Sequence, residues 1–318
     1  MTLTKFAKLA HVSVSTASKA FSMSDDISGQ TREEIFRIAR ENGCFKKFFN
    51  APCPNLVIGV LIPEFSSFVY ADYVEKLQKA LRESGCTVCV SATDFSEEKE
   101  RELVEYFYKY SAVDGLILVS PKFDPGEIEL PTVLISKEKP LSGCAVNSSG
   151  EEEQFRRAME YLREKNVFSV GFLGETKTVT HRRLFESAMQ TVFGQIDPEL
   201  IEITGLRFEK GGYAAMESFF EKGKVPRAVF CAYDDMAIGA IRCIRDHALR
   251  VPEDVAVIGF DNIVQGAFFD PPLASISQNN EAICRHAAEQ LLHRILGEPF
   301  AGETLVPAEL HHRRSFEV

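Results

Sequence analysis

A regular alternation of short apolar runs with amphipathic stretches constrains the fold of this chain more than any other feature. The runs have strand length and are apolar throughout, which is typical of parallel strands covered on both faces. They are LVIGVLI (56–62), GLILV (115–119), TVLI (132–135), VFSVGFL (167–173), AVFCA (228–232) and VAVIGF (255–260). Helical spacing relates the apolar residues of two intervening stretches, Tyr70, Val74, Leu77 and Leu81 in one and Ile283, Ala287 and Leu291 in the other. The pattern predicts a doubly wound α/β fold with parallel sheets.

Size and composition set the domain organisation and the class. The chain has 318 residues, 45% apolar and 26% charged, as ordinary globular proteins do. Residues 56–318 are too many for one compact core, so we expect them to fold as two lobes. No apolar run approaches the ~18 residues of a spanning helix, and the N-terminus lacks the apolar core of a signal peptide. We therefore expect a soluble, non-exported protein of the cytoplasm with no membrane contact.

Eight cysteines are spread thinly along the chain, unlike those of a small disulfide scaffold. Only Cys86 and Cys89 form a C-x-x-C pair. The segment around them is predicted to be a strand, which places the two thiols on opposite faces. A zinc site needs converging thiols and further ligands. We interpret both as buried strand cysteines and expect neither a metal nor a cofactor.

The net charge of −10 is unevenly distributed. Residues 1–50 carry +3, and the remainder carries −13. An acidic body repels a polyanion, so any contact with nucleic acid must be made by the N-terminal piece. A charge of +3 in fifty residues is also compatible with chance.

Three short helices, each with a capping signal, are predicted in the N-terminal piece. Thr2 caps the first and Ser13 the second, whereas either Ser28 or Thr31 can cap the third. The first two have helix-turn-helix dimensions. The second is expected to bury Ala17, Ala20 and Phe21 and to expose Val14, Ser15, Ser18 and Lys19. These exposed side chains are short enough for close approach to base edges, although any three-helix domain shows similar caps.

The segment TLTKFAKLAHVSVSTASKAF, followed by ISGQTREEIFRIARENG, resembles the DNA-binding head of the lactose-repressor (LacI) family of bacterial transcription regulators. The resemblance implies base contacts from Val14, Ser15 and Lys19. It implies backbone contacts from Thr2, Ser13, Thr16, Ser18 and Thr31. His11 stands where the family usually has glycine, at a position that favours positive φ; histidine tolerates that conformation better than most residues.

Polar residues follow several of the predicted strands. Open α/β sheets bind ligands beyond the carboxyl ends of their strands. The candidates are Ser66, Ser67, Ser120, Ser136, Asp234, Asp235, Asp261 and Asn262. Each one alone is better explained by helix capping or an Asx turn. As a set at one edge they predict a pocket for ligand hydroxyls.

The body, through CAYDDMAIGAIRCIRDHALRVPEDVAVIGFDN and PPLASISQ, is similar to the family's effector-binding core, which has the periplasmic-binding-protein fold. The resemblance implies an effector between two lobes and a homodimer. The implied effector contacts are Ser66, Ser67, Tyr70, Ser136, His181, Arg182, Arg183, Asp234, Asp261 and Gln278. Sugar binders usually carry Arg-x-x-Gly-aromatic where this chain has His181-Arg182-Arg183-Leu184-Phe185, so the clamping arginine is displaced or lost. An ordinary sugar is therefore a doubtful ligand.

A linker is predicted at 49–55, between a head at 1–48 and the body at 56–318. Family members usually have a hinge helix there. Pro52 and Pro54 disfavour a helix, so we expect an extended segment with Lys46 and Lys47 on phosphates. Phe48 or Phe49 either wedges into the minor groove or, as we prefer, packs against the head or body.

The chain is predicted to regulate transcription by binding a specific DNA sequence, as a repressor rather than an activator. The expected effector is a small molecule that is a sugar or a sugar derivative. The operator is expected to be pseudo-palindromic. One alternative is a glycosidase-like enzyme that uses Asp234, Asp235 and Asp261, but no companion catalytic motif accompanies them. Another is a solute-binding protein, which the missing export signal and the extra head disfavour. We expect no catalytic residues.

Overall fold

The computed structural model describes residues 1–24, 26–49, 56–110, 113–123, 130–136, 144–299 and 302–318, without the side chains of Arg40 and Lys46. Two compact units divide the chain. Unit 1 comprises Met1–Ser66, Tyr73–Asn147 and Glu281–Leu305, and unit 2 comprises Ser67–Asp72, Ser148–Asn280 and Val306–Val318. Each unit contains one six-stranded sheet. The mixed α/β class with mainly parallel sheets is confirmed.

Four helices form the N-terminal head, which extends to Phe49: α1 (Leu3–Leu9), α2 (Val14–Phe21), α3 (Gly29–Glu41) and α4 (Phe45–Phe48). Thr2 and Ser13 cap the first two, since each side-chain oxygen accepts a backbone N–H three residues on. The third helix begins after Ser28, whose Oγ accepts the N–H of Thr31 at 3.2 Å. Of the two caps considered, Ser28 is therefore the one used, and Thr31 lies inside the helix.

The sheet of unit 1 has the order β11-β5-β4-β3-β1-β2. Its strands are β1 (Val57–Ile62), β2 (Thr87–Ala92), β3 (Gly115–Val119), β4 (Thr132–Ile135), β5 (Cys144–Ser149) and β11 (Glu303–Pro307). The helices that follow its strands are α5 (Phe68–Glu83) and α6 (Glu97–Lys109). Strands β3 and β4 are buried throughout, because helices and neighbouring strands cover them on both faces.

The sheet of unit 2 has the order β12-β10-β9-β8-β6-β7. Its strands are β6 (Val170–Glu175), β7 (Ile201–Thr204), β8 (Ala228–Cys231), β9 (Ala256–Phe260), β10 (Ala274–Ser277) and the antiparallel β12 (Glu309–His311). Its helices are α7 (Glu151–Glu164), α8 (Val179–Phe193), α9 (Phe208–Glu221), α10 (Asp234–Asp246) and α11 (Val264–Ala267). The last helix, α12 (Asn280–Leu296), belongs to unit 1 from Glu281 onward. Strands β6 to β10 are parallel, so their carboxyl ends share one edge, here called the carboxyl edge.

All six apolar runs contain strands, but two details of the prediction are wrong. The run 167–173 is a strand only from Val170 onward. Cys89 is exposed rather than buried, because β2 is the edge strand of its sheet, whereas Cys86 is buried as expected. Within the described residues, no helix is long and apolar enough to cross a membrane.

Candidate DNA interface and effector site

Helix α2 presents a polar, exposed face. Ser13 Oγ accepts the N–H of Thr16 at 2.9 Å and lies 2.7 Å from Thr16 Oγ1, which fixes the first turn. Ala17, Ala20 and Phe21 are buried, as the spacing predicts. The opposite face exposes Val14, Ser15 and Ser18. A short helix that packs one face in the core and exposes short side chains on the other can enter a major groove.

Lys19, the cation of this face, is paired within the head. Its Nζ lies 2.8 Å from Oδ2 of Asp26, and both side chains are exposed. The ammonium group of Lys19 lowers the pKa of the Asp26 carboxyl below its usual value.

Two further features complete the head surface. His11, in the turn before α2, has φ +53°, as the substitution of a family glycine predicts. Thr2 and Thr31 lie at the first turns of α1 and α3, both exposed. Orphan N–H groups and hydroxyls at helix N-termini are ready donors to phosphate oxygens.

Phenylalanines build the core of the head. Phe6, Phe21, Phe36 and Phe45 are buried together, with ring centroids 5.4 Å apart for Phe6–Phe21 and 4.9 Å apart for Phe36–Phe45. Phe48 packs 5.4 Å from Phe21, and Phe49 packs 5.0 Å from Phe45. Both rings thus pack in the head, as preferred above. Lys46 and Lys47 lie on α4 between Phe45 and Phe48, and Lys47 is exposed. The predicted extended segment at 50–55 lies outside the described residues.

Asp234 is the most buried carboxyl group at the carboxyl edge of unit 2. It is 1% exposed, and it begins α10 without capping it. Its Oδ1 accepts a hydrogen bond from Ser275 Oγ at 2.7 Å, and its Oδ2 accepts one from the Ile263 N–H at 2.8 Å. Burial above all raises its pKa well above the usual value. Asp234 therefore joins the ends of β8, β9 and β10, and the capping role is wrong.

Asp261 directly follows β9 in a left-handed conformation. It has φ +97°, and Asn262 after it has φ +53°, an arrangement that L residues adopt only when the surroundings hold it. The Asn262 N–H donates to Ser275 Oγ at 2.9 Å, and Arg313 donates to Asn262 Oδ1 at 2.6 Å. Ser275 thus links Asp234 to this turn. The strained turn fixes where the buried Asp261 carboxyl group lies.

His181 and Gln278 also reach this region. The imidazole of His181, in the first turns of α8, lies 4.3 Å from the ring of Phe260, the last residue of β9. Gln278, after β10, is 1% exposed and donates to Glu151 Oε1 at 2.9 Å. The neighbours of His181 differ: Arg182 pairs with Glu186 on its own helix, and Arg183 is exposed.

Two functional candidates at this edge, Glu175 and Arg207, were missed by the sequence reasoning, whereas Asp235 was predicted as part of the polar set and of the enzyme alternative. Glu175, at the end of β6, is 4% exposed and lies 3.3 Å from Arg207 Nε. Arg207 precedes α9 after the short strand β7, which the sequence pattern did not reveal. Asp235 is 4% exposed, and burial, followed by the carboxylates of Glu209 and Asp261, raises its pKa to about 7. Glu175 could have been found from the sequence, because it is a polar residue at the end of an apolar run.

The remaining effector candidates fall on both sides of the unit boundary. Ser66 and Ser136 belong to unit 1, where Ser66 is exposed and donates to Glu64, and Ser136 is buried after β4. Ser67 and Tyr70 group with unit 2; Ser67 is buried, and Tyr70 is half-buried on α5.

Comparison with known proteins agrees with both parts of the chain. A periplasmic binding protein-like domain matches residues 159–316. The HTH-type transcriptional repressor CytR of Escherichia coli strain K12 is 28% identical, over 99% of this chain and 96% of CytR. The HTH-type transcriptional repressor PurR of Histophilus somni strain 2336 is 26% identical, over 92% of each chain.

Solved structures give the same result over the whole length. A complex of the transcriptional regulator CelR with cellobiose has a TM-score of 0.70 and 26% identity, covering 99% of each chain. The lac repressor dimer bound to operator and an anti-inducer has a TM-score of 0.71 at 24% identity, again over 99% of each chain, and shows the fold. Over nearly its whole length, this chain is similar to transcription regulators of the LacI family.

The chain is a DNA-binding transcription regulator with a helix-turn-helix head and a periplasmic-binding-protein-like, effector-binding body. The relatives named above are transcription regulators rather than enzymes. The carboxyl groups of unit 2 accordingly belong to the part of the molecule that matches a binding domain.

Proposed function

We propose that this regulator is a repressor whose head reads operator DNA with α2 in the major groove. The observation that carries the proposal is the exposed face of α2, where Val14, Ser15 and Ser18 are unobstructed beside Lys19. Serine hydroxyls bond base edges, and the valine side chain contacts thymine methyl groups. On this proposal Val14, Ser15 and Lys19 select the sequence.

The surrounding groups fix the register on the duplex. Thr2, Ser13, Thr16, Ser18 and Thr31 place hydroxyls at the beginnings of α1, α2 and α3 or along α2. We assign them to phosphate oxygens, together with Lys46 and Lys47. Such contacts position the head and give binding its salt dependence, without reading sequence.

The operator is proposed to be pseudo-palindromic and bound by a homodimer in the cytoplasm. The related lac repressor structure is a dimer bound to operator. A two-fold dimer requires half-sites separated by about one helical turn or a multiple of it. The acidic body supports DNA contact by the heads alone, because like charges repel.

The effector is proposed to be a neutral or cationic molecule with several hydroxyl groups, bound at the carboxyl edge of unit 2. Glu175, Asp234, Asp235 and Asp261 bring four carboxyl groups to that edge. The carboxylate form accepts hydrogen bonds from hydroxyls and ammonium groups and repels phosphate. Because burial raises the pKa of Asp234 and Asp235, the repulsion of phosphate rests on Glu175 and Asp261 rather than on all four groups. The related CelR binds cellobiose, a neutral polyol. A free sugar or an amino-bearing sugar derivative therefore fits better than a sugar phosphate.

The candidate residues have different roles on this proposal. Asp261 and His181 contact the effector, because one is set by the strained turn and the other lies against Phe260 beside it. Asp234 positions Asp261, since both its oxygens bond groups of the protein. Ser66, Ser67, Tyr70, Ser136, Arg182, Arg183 and Gln278 remain proposed contacts, with Arg182 and Arg183 the weakest because they follow the exposed side of α8.

Two experiments test the proposal. Selection from a random duplex library should enrich a two-fold symmetric sequence, and a library enriched without symmetry would contradict the dimeric operator. A thermal-shift screen of polyols, aminosugars, nucleosides and sugar phosphates should find a hit that weakens binding to the selected operator. A ligand at 100 times its Kd adds about 2.7 kcal/mol of stability. Stabilisation by sugar phosphates alone would overturn the assigned effector class.

A further inference from the structure

Three side chains with metal-binding atoms meet where α9 packs against α10 in unit 2. They are Glu217 on α9 and Cys243 and His247 at the end of α10. Cys243 Sγ lies 3.2 Å from Glu217 Oε2, and His247 Nε2 lies 3.5 Å from Glu217 Oε1. Taking one ligand atom from each residue, the three atoms all lie within 4.8 Å of one another.

The spacing of these atoms suits a tetrahedral ion. Zinc binds sulfur at about 2.3 Å and nitrogen or oxygen at about 2.0–2.2 Å, so its ligand atoms lie roughly 3.3–3.6 Å apart. The Sγ–Oε2 separation of 3.2 Å and the Nε2–Oε1 separation of 3.5 Å are close to that range. Cys243 and His247 are four residues apart at the end of one helix, which puts both side chains on the same face.

Close packing of the two helices makes this arrangement rigid. A Cβ built on Gly212 of α9 would lie 1.9 Å from the carbonyl oxygen of Met236, and one on Gly239 of α10 would lie 2.0 Å from that of Glu209. Only glycine permits such an approach of two backbones. The helices are therefore held together N-terminal to the cluster, and Glu217 is brought to Cys243 without a ligand.

The imidazole of His247 is already oriented as a metal ligand. Its Nδ1 lies 3.1 Å from the carbonyl oxygen of Cys243, and its ring stacks on Phe220 at 3.8 Å with an interplanar angle of 7°. A histidine that donates one ring N–H to a carbonyl leaves the other nitrogen as the ligand. Here that nitrogen is Nε2, which faces Glu217.

We propose that Glu217, Cys243 and His247 bind one zinc ion, with water as the fourth ligand. A thiolate, an imidazole and a carboxylate form a mixed S, N, O set that suits Zn²⁺ and its mimic Co²⁺ and disfavours Ca²⁺ and Mg²⁺. Asp246, one residue before His247, accepts a hydrogen bond from Tyr213 and pairs with Arg242, so the three ligands themselves must attract the cation.

The site lies away from the proposed effector contacts. Helix α10 begins at Asp234, at the carboxyl edge, and leads to the beginning of β9, so its last turn lies at the opposite edge of the sheet. The ion would join the ends of α9 and α10 and stabilise unit 2. The competing interpretation is a protonated Cys243 that only donates a hydrogen bond to Glu217.

Cobalt titration of the full-length chain separates the two interpretations. The protein is treated with a chelator, kept reduced, and titrated with Co²⁺, whose bond to a thiolate gives a charge-transfer band in the near ultraviolet; Zn²⁺ is then added as competitor. The variants are Cys243→Ser, His247→Gln and Glu217→Gln. Matched controls are Cys89→Ser, which removes an exposed thiol, and His286→Gln, which removes an exposed imidazole, both in unit 1.

One equivalent of Co²⁺ with a band that Zn²⁺ abolishes is the expected result. Cys243→Ser should lose the band. His247→Gln and Glu217→Gln should each weaken metal binding at least tenfold, because changing a residue that only supports a ligand already lowers metal affinity by about 10–100-fold. Zn²⁺ should raise the Tm of the unmodified protein and not that of His247→Gln. The proposal is overturned by an absent band, by a band that Cys89→Ser removes, or by unchanged affinity in His247→Gln. His247 is half-exposed, so His247→Gln is expected to fold. It therefore tests the proposed metal site even if Cys243→Ser fails to fold.

Discussion

Lys19 Nζ and Asp26 Oδ2 form a 2.8 Å ion pair on the exposed surface of the head. The lysine that the sequence assigns to DNA recognition is therefore already neutralised by a carboxylate seven residues away. Exposed ion pairs are weak and are screened by salt, so DNA phosphates or bases can displace Asp26 at little cost. Asp26 then remains as a negative charge beside the polyanion.

The first prediction concerns this carboxylate. Asp26→Asn should tighten binding to any duplex several-fold at low salt and less at high salt, because it removes a repulsive charge near the backbone. A filter-binding titration over a series of salt concentrations measures the effect. Glu41→Gln is the control, since it removes an exposed charge of the head that is paired with Arg37 on α3. Equal gains in both variants would show that only the net charge matters.

The base-reading face of α2 gives the second prediction. Ser15→Ala should cost about 1–3 kcal/mol against the selected operator, because a hydrogen bond to a base edge is lost. Lys19→Ala should add to the loss. Gel shifts on the operator and on an unrelated duplex measure the discrimination, with Lys79→Ala on α5 as the control. Unchanged operator affinity in the double variant would refute the assignment.

The third prediction concerns the strained turn after β9. Asp261→Ala should weaken the effector identified in the screen by at least about 1–3 kcal/mol, because ligand donors lose their acceptor. Isothermal calorimetry measures the change. The control is Asp270→Asn, whose carboxylate is 86% exposed and binds Arg245. Wild-type affinity in the Asp261 variant would count against the site.

The buried Asp235 carboxyl gives a pH-dependent prediction. Burial, Glu209 and Asp261 raise its pKa to about 7 from 3.8, so the folded state holds a proton that the unfolded state releases. The contribution of this group to stability is complete below about pH 4 and is lost as the pH rises through about 7. Asp235→Asn cannot ionise. Its Tm advantage over the wild type should therefore grow between about pH 5 and about pH 8.

Differential scanning calorimetry of the effector-free protein at both pH values tests this expectation. Asp94→Asn, which changes an exposed carboxylate of unit 1, serves as the control. A difference in Tm between Asp235→Asn and the wild type that stays constant with pH would contradict the assigned cause.

The contact of α9 with α10 gives the last prediction. Gly239→Ala places a Cβ 2.0 Å from the Glu209 carbonyl oxygen, so the two helices must separate. Overpacking of this kind costs about 1–3 kcal/mol. Gly205→Ala, where nothing lies within 4 Å of the new atom, should change stability little. Urea denaturation of the two variants makes the comparison, and equal stabilities would show that the helices can separate freely.

Most of the correct structural predictions depended on local sequence patterns. The Thr2 and Ser13 caps, the buried face of α2 and the positive φ of His11 depend on residues a few positions apart. The apolar runs predicted strands because parallel strands are covered on both faces. Strand β7 was missed since it is short and only partly buried at the sheet edge.

The sequence by itself determined the Thr2 and Ser13 caps, the alternation of strands with helices along the chain and the resemblance to the LacI family. Capping hydrogen bonds and burial periodicity are properties of neighbouring residues, so the spacing of residue types reveals them. Only the tertiary structure decided what each polar group touches. Ser275 meets Asp234 across 41 positions, and Cys243 meets Glu217 across 26. Such partners are chosen by sheet order and helix packing, which the sequence spacing does not encode. For that reason Asp234, predicted as a helix cap or a ligand contact, proved to be the residue that ties three strand ends together.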